Sequence, residues 1–183
     1  MCVGRCDRNT SAYITTTWCW LVCNTVCSDT LLAVGCHEAT IALFDVVKGD
    51  TPLSTFNVPH DGHDEHMRRP CFSPVSGSSL LMTCGSWDSE VKLWDLSNTV
   101  ASVAASGGGA APPKLVGVLR GHTCGICDAR FSGDGALIAT ASYDETVKVW
   151  DALTGRELRT LTGHNAGVLR VAFQPTDSGV QLR

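Results

Sequence analysis

Three groups of residues have types and spacings that chemistry can use. Ser142, Asp144 and His122 supply the nucleophile, acid and base of a hydrolytic triad. Cys124-Gly-Ile-Cys127 has the two-residue gap of redox and zinc thiols. His60-Asp-Gly-His63-Asp-Glu-His66 packs three imidazoles and three carboxylates into seven residues. Such a loop takes adventitious cations or titrates near neutral pH.

The surroundings of each group argue against chemistry. The triad residue types recur as His63, Ser86 and Asp88 in the preceding stretch. Catalysis needs one such set, whereas a scaffold needs one per structural unit. No Gly-x-Ser-x-Gly elbow surrounds either serine. Ile126 aligns with Val168 one repeat later, so the cysteine pair enters a strand. Residues three apart on a strand point to opposite faces, and the two thiols diverge. No second ligand pair has the spacing of a zinc site. No catalytic residue, metal site or cofactor is expected, and the chain is not expected to be an enzyme.

The elements that position these residues repeat. Gly121-His122 is followed by Trp150-Asp151 and then by Gly163-His164, 42 residues after the first pair. Phe72, Phe131 and Phe173 each lie nine residues after His63, His122 and His164. Asp88 precedes Trp94, and Asp144 precedes Trp150, by six. The His63–His122 interval is 59 residues, 17 longer than the next. Three of the 17 are assigned to the hairpin at Ser73–Ser79 and 14 to residues 97–113. That second stretch is rich in Gly, Ala and Ser and reads as a flexible insertion. Short apolar runs such as Thr30–Cys36, Thr40–Val46, Leu80–Ser86 and Glu90–Leu96 read as strands between turns.

Composition narrows the function. The chain has 183 residues, 44% hydrophobic and 17% charged, enough for one packed domain. A net charge of −4 with no Lys/Arg run gives no footprint for nucleic acid, which is expected only indirectly through a complex. No apolar run approaches the roughly 20 residues of a membrane helix. The start is a poor signal peptide, and residues 1–12 read as a disordered lead-in. Ten cysteines would suggest disulfides in a secreted chain, but nothing else supports secretion. An intracellular address, cytoplasm or nucleus, follows.

At the Gly-His and Trp-Asp pairs the chain resembles the WD-repeat β-propeller family. The resemblance covers about residues 16–183. It implies an all-β fold of about three to three and a quarter four-stranded blades in an incomplete ring. The units run over about 13–58, 59–113, 114–162 and a partial 163–183. It also implies a structural hydrogen-bond set of His122, Ser142, Asp144 and Trp150, with Ser142 linking to the Trp150 indole. The preceding blade offers His63, Ser86, Asp88 and Trp94. The first blade departs, with Cys36, Glu38 and Phe44 at these places.

The function implied is a non-catalytic interaction scaffold, an adaptor of a multiprotein complex that binds proteins or peptides through one propeller face. Trp87, Tyr143 and His37 occupy the equivalent rim position in successive units. Arg69, Asp128 and Arg170 lie at strand starts of the same face and alternate in sign. These six are the candidate partner-binding residues. An open arc exposes an apolar face, so completion of the propeller by another chain is expected. Two alternatives are a redox or metal-binding protein using the cysteine and histidine clusters, and a truncated, nonfunctional propeller fragment. Within the family, residues 121–135 and 142–151 look similar to chromatin-adaptor propellers of histone methyltransferase complexes, Phe72–Pro74 with Gly85–Trp87 to mRNA-export and spindle-checkpoint propellers, and residues 163–173 to propellers of small-subunit ribosome-processing complexes.

Overall fold

The computed structural model describes residues 22–23, 31–35, 40–45, 47, 52–57, 70–85, 89–106 and 111–174. Within them twelve strands make three four-stranded sheets, and one helix interrupts the second. The first sheet holds β1 (Val22–Cys23), β2 (Leu31–Gly35), β3 (Thr40–Asp45) and β4 (Ser54–Asn57) in that order. The second holds β5 (Cys71–Phe72), β6 (Leu80–Cys84), β7 (Glu90–Asp95) and β8 (Lys114–Arg120). The third holds β9 (Ile126–Phe131), β10 (Leu137–Ser142), β11 (Val147–Asp151) and β12 (Glu157–Leu161). Every neighbouring pair is antiparallel. The all-β expectation of an unclosed propeller holds.

These strands lack a polar face because the sheets stack. Leu81 and Trp94 of the second sheet, with Phe72 and Leu96, pack on Ala33, Ile41 and Leu43 of the first. Met82, Cys84, Val91, Leu93 and Leu119, on the other face, pack on Ile126, Ala129, Phe131, Ile138 and Trp150 of the third. Successive residues of β6 alternate between the two cores, as the two-residue strand period requires. A strand buried on both sides therefore reads as a continuous apolar run, as Leu-Leu-Met-Thr-Cys does.

The repeat registers differently in space and in sequence. Lys114–Arg120 pairs with β7, so it closes the second sheet instead of opening the third. The Gly-His pair that follows it thus sits at the crossing between sheets.

The three extra residues of the second unit are also divided. Phe72 pairs with Leu81, nine on, whereas Phe131 pairs with Ile138, seven on. Leu81 pairs with Trp94, 13 on, whereas Ile138 pairs with Trp150, 12 on. Two residues lengthen the β5–β6 turn and one lengthens the β6–β7 turn.

The expected flexible insertion at 97–113 is ordered over its first ten residues, which form helix α1 (Ser97–Ser106). Three of those ten are Ala and three are Ser, and alanine is the best helix former. The Asp95 carboxylate accepts the Ser97 N–H at 2.8 Å and the Ser79 hydroxyl at 3.0 Å, which caps the helix start. The equivalent Asp151 accepts the N–H groups of Leu153 and Thr154 and closes a tight turn instead. Gly135, at a φ of 71° in the β9–β10 turn, lets that turn meet Val75 of the second sheet, where a Cβ would collide.

Leu119 and Leu161 occupy equivalent places one repeat apart. Leu119 is 1% exposed against the third sheet, and Leu161 is 48% exposed. Leu119→Ala is expected to cost about 2–5 kcal/mol of unfolding free energy, and Leu161→Ala under about 0.5 kcal/mol. Urea unfolding monitored by circular dichroism measures both.

Candidate functional site

The Gly121-His122 pair leaves β8 and enters the third sheet. Gly121 has a φ of 154°, and a Cβ there would lie 3.1 Å from Glu157 Oε2 and 3.2 Å from Trp150 Cη2. Only glycine lets the chain pass so close to the tryptophan.

The buried imidazole that follows is the centre of a hydrogen-bond chain. Trp150 Nε1–H donates to Thr140 Oγ1 at 2.9 Å. Thr140 Oγ1 lies 2.7 Å from His122 Nε2, and His122 Nδ1 lies 2.7 Å from Asp144 Oδ2. An indole nitrogen can only donate. The threonine oxygen accepts from Trp150, and the Asp144 carboxylate accepts from Nδ1–H. With the ring neutral, as its burial favours, Nε2 accepts the threonine proton.

Electrostatics agree with that assignment. Burial pushes the His122 pKa down, and the hydrogen bond and charge of Asp144 only partly offset it. Burial opposes the charge of Asp144, but hydrogen bonds from the Thr146 hydroxyl, the His122 ring and the N–H groups of Thr123 and Thr146 outweigh it. Its carboxyl is held well below the usual carboxylate range.

Ser142 stands outside this chain, contrary to the expectation that it links to Trp150. Its hydroxyl reaches the carbonyls of Cys124 at 2.9 Å and Gly125 at 3.0 Å, and it accepts the Asp144 N–H at 3.1 Å. Thr140, two residues earlier on β10, takes the assigned role, because Trp150 pairs with Ile138 and its indole reaches toward Thr140. The second sheet repeats this: Trp94 Nε1 donates to Thr83 Oγ1 at 3.0 Å. In both sheets the threonine stands two residues beyond the strand residue opposite the tryptophan. The one-residue difference between the two hairpins hid it. Both nitrogens of His122 are committed to Thr140 and Asp144, so the serine and histidine form no nucleophile–base pair.

Of the candidate binding residues, Tyr143, Asp128 and Arg170 are described. Tyr143 sits in the β10–β11 turn and is 43% exposed. Gly167 packs on it, and a Cβ there would lie 2.7 Å from Tyr143 Cδ1. Beside it Val168 N–H donates to Ser142 O at 2.9 Å. Arg170 is exposed. Asp128, a candidate partner-binding residue, is 1% exposed. Its Oδ1 lies 3.3 Å from Arg130 Nε, and its Oδ2 accepts the Val171 N–H at 3.4 Å. It anchors the segment that carries Arg170.

Trp87, His37 and Arg69 lie outside the described residues, as do His60, His63, His66, Ser86 and Asp88. Cys124 and Cys127 are both half-buried. Among the described residues no three His, Cys, Asp or Glu side chains gather as metal ligands. No helix among them is long and apolar enough to cross a membrane.

The repeat matches known proteins. The family described as "WD domain, G-beta repeat" matches residues 51–95, 113–151 and 155–180. The chain belongs to the WD-repeat family. It is 38% identical over 152 residues to "Nuclear distribution protein PAC1" of Arthroderma benhamiae, covering 79% of this chain and 29% of that protein. It is 29% identical over 120 residues to "Small ribosomal subunit protein RACK1" of Drosophila melanogaster, covering 66% of this chain and 33% of that protein. The chain thus spans about a third of the length of the curated relatives it matches. Family and relatives support a protein-interaction scaffold in general.

Thr140→Val is expected to leave the Trp150 N–H and His122 Nε2 without partners and to lower stability by roughly 2–4 kcal/mol in urea unfolding. Acid is expected to destabilise the fold in two windows. His122 folds with a lowered pKa, so its contribution is complete above its ordinary value near 6.5 and is lost as pH falls below it. Asp144, also lowered, adds a further loss below about pH 4. Urea midpoints measured from pH 7.5 to 3 test this. His122→Asn should abolish the upper window and keep the lower.

Proposed function

We propose that the chain is a non-catalytic adaptor that binds proteins or peptides through the propeller face carrying Tyr143 and Arg170, inside the cell, as part of a multiprotein complex. The observation that carries this reading is the rigid mounting of an exposed aromatic. Tyr143 follows Ser142, which is bonded to two carbonyls, and precedes Asp144, which is bonded to His122. Its own N–H is held by Gly125 O at 3.0 Å. A pre-positioned tyrosine loses little conformational freedom on binding, which is what a binding hot spot requires. Trp87, His37 and Arg69 extend the same face by repeat equivalence, and Asp128 supports it from below. One relative is named as a small ribosomal subunit protein, which fits an intracellular address and an assembled complex. The exposed end of the third sheet supports completion of the propeller by another chain.

The test is quantitative co-purification from cells with a tagged chain. Tyr143→Ala and Arg170→Glu should each reduce the principal co-purifying protein by about tenfold or more. Leu153→Ala, 94% exposed in the turn at the other end of β11, should not. Equal recovery with all three variants would remove this face as the binding site.

A further inference from the structure

The β10–β11 turn holds a glutamate in a backbone conformation that suits glycine. Glu145 has a φ of 67°. Left-handed backbone is costly for a residue with a Cβ, and glycine takes it freely. The turn itself imposes this conformation. Ser89 also follows a turn aspartate, Asp88, as Glu145 follows Asp144, and its φ is 54°. Glu145 therefore destabilises a position where glycine would not. Contacts within the chain do not offset that cost. The side chain is exposed, and no described residue gives its carboxylate a hydrogen bond or an ion pair. Lys148, the nearest cation along the chain, is engaged with Glu157 and Thr160. Asp144 beside it is held ionised, so two like charges adjoin. Strained residues of this kind mark places where function sets the residue type.

We infer that Glu145 and Tyr143 together form a seat for one basic side chain, arginine or lysine, of a partner peptide. The inference rests on the reading that this face binds proteins or peptides, and it names what the peptide carries there. Tyr143 and Glu145 flank Asp144 in one tight turn, closed by Ser142 N–H donating to Thr146 O at 3.2 Å. Gly167 packs on one side of the tyrosine, and the ring remains 43% exposed. A cation over the open ring is attracted by its quadrupole. A carboxylate two residues along supplies the opposite charge and accepts charge-assisted hydrogen bonds.

The other charges of the face confine the preference to that place. Asp144 takes the His122 ring and the N–H groups of Thr123 and Thr146. Asp128 is buried beside Arg130 and the Val171 N–H. Both carboxylates are turned to the chain's own groups, whereas that of Glu145 is turned to none among the described residues. Arg170, exposed on the segment that packs on Tyr143, carries the opposite sign. The face therefore takes one basic residue at the turn and not a uniformly basic peptide, which Arg170 would repel.

The probe is a phage-displayed library of random linear peptides, selected on the full chain and again on its variants. Peptides selected on the parent should be enriched in a single arginine or lysine relative to the starting library. A synthetic peptide of the selected sequence should bind about fivefold more weakly to Glu145→Gln and be lost with Tyr143→Ala. Selection on Glu145→Lys should favour acidic residues instead. Glu145→Gly should weaken the peptide as Glu145→Gln does, yet raise the melting temperature by about 2–4 °C. Circular dichroism checks that each variant folds. Binding lost with Tyr143→Ala but unchanged with both Glu145→Gln and Glu145→Gly would overturn the basic seat and leave the binding face standing. Selected peptides with no basic enrichment would do the same. A melting temperature lowered by Glu145→Gly would also overturn it, because the glutamate would then serve the fold. If no selected peptide depends on Tyr143, both readings fail.

Discussion

A β-sheet with two apolar faces cannot stand alone, and the crossing from one such sheet to the next is where this fold is decided. The chain leaves the outer strand β8 at Arg120 and must enter the next sheet at the inner strand β9. Between them it passes backbone groups and an imidazole through a region with little water. The sequence of bonds from Trp150 through Thr140 and His122 to Asp144 satisfies every polar atom on that path. Asp144 also takes the Thr123 N–H at 3.0 Å, so the crossing segment and the β10–β11 turn are held by one carboxylate. Removing any member leaves a buried group unpaired, which explains why four polar residues persist inside an otherwise apolar stack.

Much of this was legible as spacing. The 42-residue period located the sheets, and the alternation of apolar residues gave the strand type. The imidazole and its carboxylate were readable too, because both sit at fixed offsets from the Gly-His and Trp-Asp landmarks. The hydroxyl was not. Ser142 and Thr140 are both short hydroxyl residues on the same strand, and only register tells which one lies beside the indole. Register is set by turn lengths, and these differ by one residue between the second and third sheets. The helix at Ser97–Ser106 was hidden for another reason. Alanine and serine serve linkers and helices alike, and the deciding element is a cap from Asp95, a residue that belongs to the strand before it.

Asp128 shows the limit of reading a rim from sequence. Its sign alternates with Arg69 and Arg170 along the repeat, which suggests a charged surface. In space it is covered by the segment that follows the third sheet, and it spends its charge on Arg130 and on the Val171 N–H. The charge that remains outside is that of Arg170. Among the described residues, Asp128 is a buried acidic anchor and Tyr143 and Arg170 are exposed. The same anchor places Gly167 on Tyr143, so the exposed ring is flanked on one side by the chain itself.

The open end of the third sheet must also avoid the wrong neighbours. All five residues of β12 are exposed, and Leu158 and Leu161 make it apolar enough to attract another strand. Its charges counter this. Lys148 reaches both Glu157 carboxylate oxygens, at 3.1 and 3.0 Å, and the Thr160 hydroxyl at 2.9 Å, which ties the edge strand to β11. With Glu157 so engaged, Arg156 and Arg159 remain exposed along the edge. Like copies meeting edge to edge would bring these arginines together, and repulsion between them opposes that pairing. The lateral edge is thus guarded by charge.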